Sequence, residues 1–289
     1  MTLGPMGSSG RPGTAPDASG RRPLIIAIVS LLGATLFWAG NYIIGEAVLK
    51  TMDPLSLVLL RWMLAAVPLI AIAQIVERPR WLEVLRAWPW LLALSSTGLV
   101  GYTLVFYSAL QHSDAFSASL INAFNPALIA VAAAVFLGQR LTASGIVGVL
   151  IALIGVVVVL SGGDPAALTT TGFETGQLLM LGAVSIWTAY TIVGRRAPKL
   201  PPITSTAIQA VFTVLIVAPV SFATGGPQLP VSGEALTSLV LIAVFPSVLS
   251  YLLWNRALTV IPAARAGVFL NLITVFTVAF TIIVGHAFA

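Results

Sequence analysis

Leu32-Gly33-Ala34-Thr35-Leu36-Phe37-Trp38-Ala39-Gly40-Asn41-Tyr42-Ile43-Ile44-Gly45 is an apolar run that the chain writes twice. After 149 residues it returns as Leu181-Gly182-Ala183-Val184-Ser185-Ile186-Trp187-Thr188-Ala189-Tyr190-Thr191-Ile192-Val193-Gly194, with the Leu-Gly-Ala, Trp and Gly positions in the same spacing. Lys50 returns as Lys199, and Ala66-Val67-Pro68 resembles Val217-Ala218-Pro219. Ala109-Leu110 followed by Ala115 and Ala118 matches Ala257-Leu258 followed by Ala263 and Ala266. Apolar helices share letters by chance, but several matches in one order mark an internal duplication.

Composition says what solvent these runs meet. Of 289 residues, 58% are hydrophobic and 8% charged, and the mean hydropathy is +1.02. Soluble domains carry about 25% charged residues, so lipid must bathe most of this chain. Segments of roughly 20 apolar residues span a bilayer as helices. Nine are read, at about 24–49, 55–76, 87–110, 115–137, 142–161, 175–194, 203–224, 235–258 and 263–285. Turn residues separate them: Met52-Asp53-Pro54, Glu77-Arg78-Pro79-Arg80, Ser161-Gly162-Gly163-Asp164-Pro165, Pro198 to Pro202, and Gly225-Gly226-Pro227.

The expected organisation is a disordered cytoplasmic tail (1–23), a first five-helix repeat (24–161), an outer linker (162–174) and a second repeat (175–289). With the N-terminus in the cytoplasm, twelve Lys and Arg residues fall inside and two, Lys50 and Arg61, outside. That is the positive-inside distribution, so the net charge of +5 reads as topology rather than a nucleic-acid footprint. An odd number of helices per repeat turns the second repeat upside down, a construction principle of secondary transporters. There is no cysteine, and the two histidines are His112 and His286, so neither a metal nor a cofactor is expected. No cleavable signal peptide is visible after Arg21-Arg22.

Further residues identify a family. Trp38-Ala39-Gly40-Asn41, Leu60-Arg61-Trp62-Met63-Leu64-Ala65-Ala66, Tyr107-Ser108-Ala109-Leu110 with Asp114-Ala115, Asn125-Pro126, and Leu137-Gly138-Gln139-Arg140-Leu141-Thr142 occur in this order. Together they resemble the EamA family of the drug/metabolite transporter superfamily, and within it the YddG-type amino-acid exporters. The resemblance covers nearly everything after residue 24. It implies an all-α membrane protein of ten helices, an inverted repeat of five-helix units around a central cavity, in the bacterial inner membrane with both termini cytoplasmic. It implies efflux of amino acids and related metabolites. The chain departs from that pattern at its end. The second repeat reaches Val284-Gly285-His286 and closes at Ala289, where the tenth helix is expected to begin, so nine helices are read.

Polar and aromatic side chains within spans face a bundle interior or a water-filled path. Trp38, Asn41, Tyr42 and Gly45 share one face of the first helix, and Trp187, Tyr190, Thr191 and Gly194 repeat it. Tyr102 in the third helix, and Tyr251 and Trp254 in the eighth, lie deep enough to line a cavity. Asn122 and Asn125 stand one turn apart, and Pro126 frees a carbonyl near Asn122, which predicts a hinge. Asn271 is near the matching place in the ninth helix, but Thr274 stands where the proline would, so no second hinge is expected. Helix packing is the alternative reading for each of these positions. Glu46 and Arg61 are expected to pair near the outer face, chiefly as structure.

The reading is therefore an exporter of small metabolites, foremost neutral or aromatic amino acids, alone or in an oligomer, with phosphorylated sugars or other metabolites and drugs as the alternative cargo, rather than an enzyme. A membrane enzyme would show an HExxH zinc motif, a GxSxG elbow or paired midplane aspartates, and a channel a filter loop or charge ring; none is visible. A carrier of phosphorylated sugars would want Lys or Arg deep in the cavity, and Arg61 near the outer face gives that little support.

Overall fold

The computed structural model describes residues 18–161, 163, 174–261 and 263–285. Most of the 162–174 linker, His286 and most of the 1–23 tail lie outside them. The chain is an all-α, multi-pass membrane protein. Among the described residues, eight helices are long and apolar enough to cross a membrane. They are α1 (Ala18–Val48), α2 (Pro54–Val76), α3 (Trp88–Leu110), α4 (Ala115–Leu137), α5 (Ala143–Leu160), α6 (Thr175–Arg196), α7 (Pro202–Ala223) and α8 (Gly233–Leu258). A ninth, α9, covers residues 263–283 and includes a 3-10 turn, Gly267–Leu270. The tail expected over 1–23 is corrected from Ala18 onward, where α1 already begins. Pro23 lies inside α1, and the helix continues through it.

The turn residues act as caps. Asp53, Asp114, Thr142 and Ser232 each accept the third N–H of α2, α4, α5 and α8, at 2.8–3.1 Å. A capping box joins Glu174 and Gln177 at the start of α6. These bonds satisfy donors that a helix start otherwise leaves orphaned. α4 ends on Gly138 at φ 65°, the left-handed conformation glycine adopts without cost.

Packing is reciprocal. α1 lies against α8 and α9, while α6 lies against α3 and α4; α2 and α7 form the most extensive pair. The first helix of each half thus inserts between the third and fourth of the other. Helix ends obey the same rule. Glu77, just past α2, accepts Ile203 N at 2.9 Å, Thr204 N at 2.7 Å and Thr204 Oγ1 at 2.6 Å at the start of α7. Gln228, beyond α7, accepts Asp53 N at 2.9 Å at the start of α2 and donates its own N–H to Ser56 Oγ at 2.8 Å. In the register that pairs Pro68 with Pro219, Glu77 pairs with Gln228 and Asp53 with Thr204. α5 is peripheral, with Val156 its one buried residue, and its apolar surface faces lipid.

Four of the helices that bound the centre, α3, α4, α8 and α9, are irregular. α3 widens to π geometry over Ser95–Tyr102 and α8 over Phe245–Leu249. α4 stops at Asn122 and restarts at Asn125, with Pro126 in the first turn of the second piece. The sequence predicts a kink in a continuous helix; the span is instead divided. Proline brings no N–H for the carbonyl four residues back and fits the opening turn of a helix. α9, where no second proline hinge is expected, also departs from regular α geometry. Its 3-10 turn ends at Leu270, the counterpart of Asn122, without any proline.

Candidate functional site: a cavity between the two halves

A cavity of about 60 Å³ lies among α1, α2, α3, α4, α6, α8 and α9. One water needs about 10–15 Å³ on this scale, so the space accepts a compact solute. From the first half come Trp38, Asn41 and Tyr42 on α1, Arg61 and Trp62 on α2, Tyr102 and Thr103 on α3, and Asn122 and Asn125 on α4. The second half supplies Trp187 on α6, Tyr251 on α8, and Leu270 and Ile273 on α9. Eight of the twelve residues expected from the sequence are therefore at the cavity: Trp38, Asn41, Tyr42, Tyr102, Asn122, Asn125, Trp187 and Tyr251.

Tyr190, Thr191, Trp254 and Asn271 stand outside its lining. Tyr190 packs its ring on Gly98, where a Cβ would meet it at 2.4 Å. Thr191 Oγ1 donates to Trp187 O at 2.9 Å. Trp254 backs Trp38, with ring centroids 5.5 Å apart. Asn271 is exposed. In the register that pairs Ala115 with Ala263, Asn122 answers to Leu270 and Asn125 to Ile273, so Asn271 is one residue off. On a helix of 3.6 residues per turn that slip rotates a side chain by about 100°.

The aromatic frame is symmetric. Trp38 meets Tyr251 edge-on at 5.7 Å, and Trp187 meets Tyr102 at 4.9 Å. Each pair joins the first helix of one half to the third of the other. Trp38 Nε1 also donates to Pro246 O at 3.1 Å, a carbonyl of the α8 π segment. In α3, Gly101 is required because a Cβ there would stand 2.9 Å from Ser96 O; the wide turn brings that carbonyl close.

Arg61 is the residue the sequence reading misplaced. It is 3% exposed and lies seven residues into α2, about 10 Å deep at 1.5 Å per residue. Its Nε and Nη2 donate to Ser247 Oγ at 3.0 and 2.7 Å, and Nη1 donates to the Tyr107 hydroxyl. Tyr107 in turn donates to Asn41 Oδ1 at 2.8 Å. The expected Glu46–Arg61 pair is not formed. Glu46 is two residues from the end of α1, about 3 Å deep, and accepts the Ala115 N–H at 2.9 Å at the start of α4. Among the described residues the single ion pair is Arg80–Glu83. A lone arginine in an apolar run was the available signal, and its depth should have weighed more than its distance from the nearest loop. Trp62, Thr103, Leu270 and Ile273 carried no such signal.

Comparison with known proteins supplies the family. The EamA-like transporter family model matches residues 25–161 and again 174–287. The uncharacterized transporter YyaM of Bacillus subtilis is 26% identical over 89% of this chain and 85% of its own length. An uncharacterized transporter of Archaeoglobus fulgidus is 27% identical over 85% of this chain and 84% of its own. The aromatic amino acid exporter YddG of Ancylobacter novellus is 31% identical over 46% of each chain. One solved crystal structure, 22% identical, superposes with a TM-score of 0.62 over 92% of this chain and 90% of that one, a likeness of fold. Two family matches on an all-helical membrane fold with a central cavity lead to one statement: this chain belongs to the EamA-like transporter family and is a membrane transporter of small molecules.

Proposed function

We propose that the chain exports small metabolites, foremost neutral or aromatic amino acids, across the bacterial inner membrane by alternating access through the central cavity. The N-terminus is cytoplasmic in this reading, and the two halves are inverted relative to each other. The observation that carries it is the cavity's mixed lining. Arg61, Asn41, Asn122 and Asn125 offer polar contacts on one side, and Trp187, Leu270 and Ile273 an apolar surface on the other. A solute with a polar head and a short apolar body satisfies both. The partial likeness to an aromatic amino acid exporter agrees with it. The divided α4 with Pro126, facing the 3-10 turn of α9, is the proposed pair of hinges, since such irregular backbone is tolerated in a membrane where it lines a cavity.

Counterflow of labelled amino acids into liposomes holding the purified protein tests this. Saturable, exchange-stimulated flux of neutral amino acids is the expected result. Folded protein that moves none of them refutes the substrate class. A second reading, carriage of phosphorylated sugars or related anions, gains from the position of Arg61. It needs more than one cation for a dianionic phosphate, and Arg61 is the single Lys or Arg among the lining residues.

A further inference from the structure

We propose that Arg61 binds a substrate carboxylate, with Asn122 and Asn125 accepting the ammonium of the same molecule, so that the cavity recognises an α-amino acid by both charged groups. This rests on reading the cavity as the transport site. The Arg61 guanidinium has five N–H donors, and three are used on the hydroxyls of Ser247 and Tyr107. Those hydroxyls spend their own hydrogens elsewhere: Tyr107 on Asn41, and Ser247 on Ile242 O at 2.8 Å. Both therefore present only lone pairs to Arg61 and hold it in place as positioning residues. Neither carries charge. A buried cation held by neutral partners leaves its charge uncompensated, and such groups are costly inside a membrane unless an anion arrives.

A second feature is the set of unmade hydrogen bonds. Trp62 Nε1, Asn122 Oδ1 and Asn125 Oδ1 are buried without partners, and all three residues line this cavity. Buried polar groups are normally satisfied. A carboxylate takes the two remaining Arg61 donors and the indole N–H. An ammonium supplies donors to the two amide oxygens. An isolated anion would meet Arg61 but leave both amides unpaired. An amine without a carboxylate would be repelled by the arginine. The small cavity and its Leu270–Ile273 wall set the body of the ligand as apolar and compact.

The test measures ligand-induced thermal stabilisation of the purified full chain in detergent with four probes: L-leucine, L-leucinamide, 3-methylbutylamine and 4-methylpentanoate. Leucine is expected to bind best, 4-methylpentanoate more weakly, and the amide and amine not at all. Arg61→Gln is expected to weaken leucine by about 30-fold, the worth of a charge-assisted hydrogen bond, and to erase the preference for acid over amide. Asn122→Leu with Asn125→Leu is expected to remove the preference for leucine over 4-methylpentanoate. If Arg61→Gln does not fold, Arg61→Lys keeps the charge without the planar fork. Leucine is then expected to weaken about 10-fold with the amide still excluded. Leucinamide binding as tightly as leucine overturns the proposal, as does wild-type affinity in either arginine variant or the absence of carboxylate binding. Failure of the transport reading looks different: selective binding with no flux in liposomes.

Discussion

The two walls of the cavity descend from the same sequence pattern and differ in one respect, polarity. Trp38 corresponds to Trp187 and Tyr102 to Tyr251, so the ring frame is kept in both halves. Asn122 and Asn125 correspond to Leu270 and Ile273, so the charged and amide groups of the lining all come from the first half. The symmetric part is what reciprocal packing needs: one ring of each half seated in the other. In the proposed binding mode the asymmetric part gives the ligand a direction, its polar end toward the first half. A duplicated scaffold can thus keep a two-fold mechanism of movement while its site recognises a solute that has no symmetry.

The largest test of that contrast is steric. Gly98 admits the Tyr190 ring, whereas its counterpart in the second half, Ser247, accepts from Arg61, and the counterpart of Tyr190 is the smaller Asn41. Gly98→Ser copies the second half into the first and drives a Cβ to 2.4 Å from the ring. A destabilisation of about 3 kcal/mol is expected, read as a lower melting temperature and poor yield. Adding Tyr190→Asn should restore most of it. If Gly98→Ser alone melts like the wild type, the close approach is not a constraint.

Next is the polarity itself. Asn122→Leu with Asn125→Ile makes the first wall a copy of the second. Each buried amide oxygen without a partner costs about 1–3 kcal/mol, so the double variant is expected to melt higher by an amount equivalent to about 2 kcal/mol. Amino-acid flux in liposomes should fall to background. Such gain of stability with loss of activity is expected where unsatisfied groups await a ligand. Unchanged flux would show that the polar wall does not meet the solute.

A smaller difference is expected at the helix ends. Glu77 and Gln228 occupy equivalent positions, but Glu77 brings a charge and accepts three hydrogen bonds at the start of α7. A carboxylate at a helix N-terminus is favoured by the dipole and by charge-assisted bonds. Glu77→Ala is expected to cost about 2 kcal/mol and Gln228→Ala about 1 kcal/mol, compared by thermal melts under one detergent condition. Equal costs would mean that the charge adds nothing to the cap.

How much of this was legible beforehand depends on which physical signal carried it. Spans and their limits were written in apolar length and in caps such as Asp53 and Asp114, which act locally. The cavity's rings were legible because Trp38 and Trp187 recur at fixed spacing. Arg61 was visible but misassigned, since nearness to a loop was weighed above a depth of two helical turns. Leu270 and Ile273 could not be singled out, because apolar residues in an apolar helix look alike until a partner helix selects a face. Asn271 failed for a related reason. A one-residue slip in register, hidden between segments that align at 149 and at 148, is enough to turn a side chain away. The π segments left no trace in sequence spacing, although they place Tyr251 and Ser247.

The smallest expected effect separates the two tryptophans that first revealed the duplication. Trp38 Nε1 donates to Pro246 O, a carbonyl in the π segment of α8, while the Trp187 side chain, among the described residues, makes ring contacts with Tyr102 and Tyr190. Phenylalanine keeps a ring in each place and removes the indole N–H. Trp38→Phe should therefore cost about 1 kcal/mol, a net hydrogen bond plus part of an unpaired carbonyl. Trp187→Phe should cost less, through lost ring area alone. Melting curves of the two variants decide it. If Trp187→Phe is the more damaging, the aromatic frame is held chiefly by area, and the bond to Pro246 is incidental to how the first half is anchored to the second.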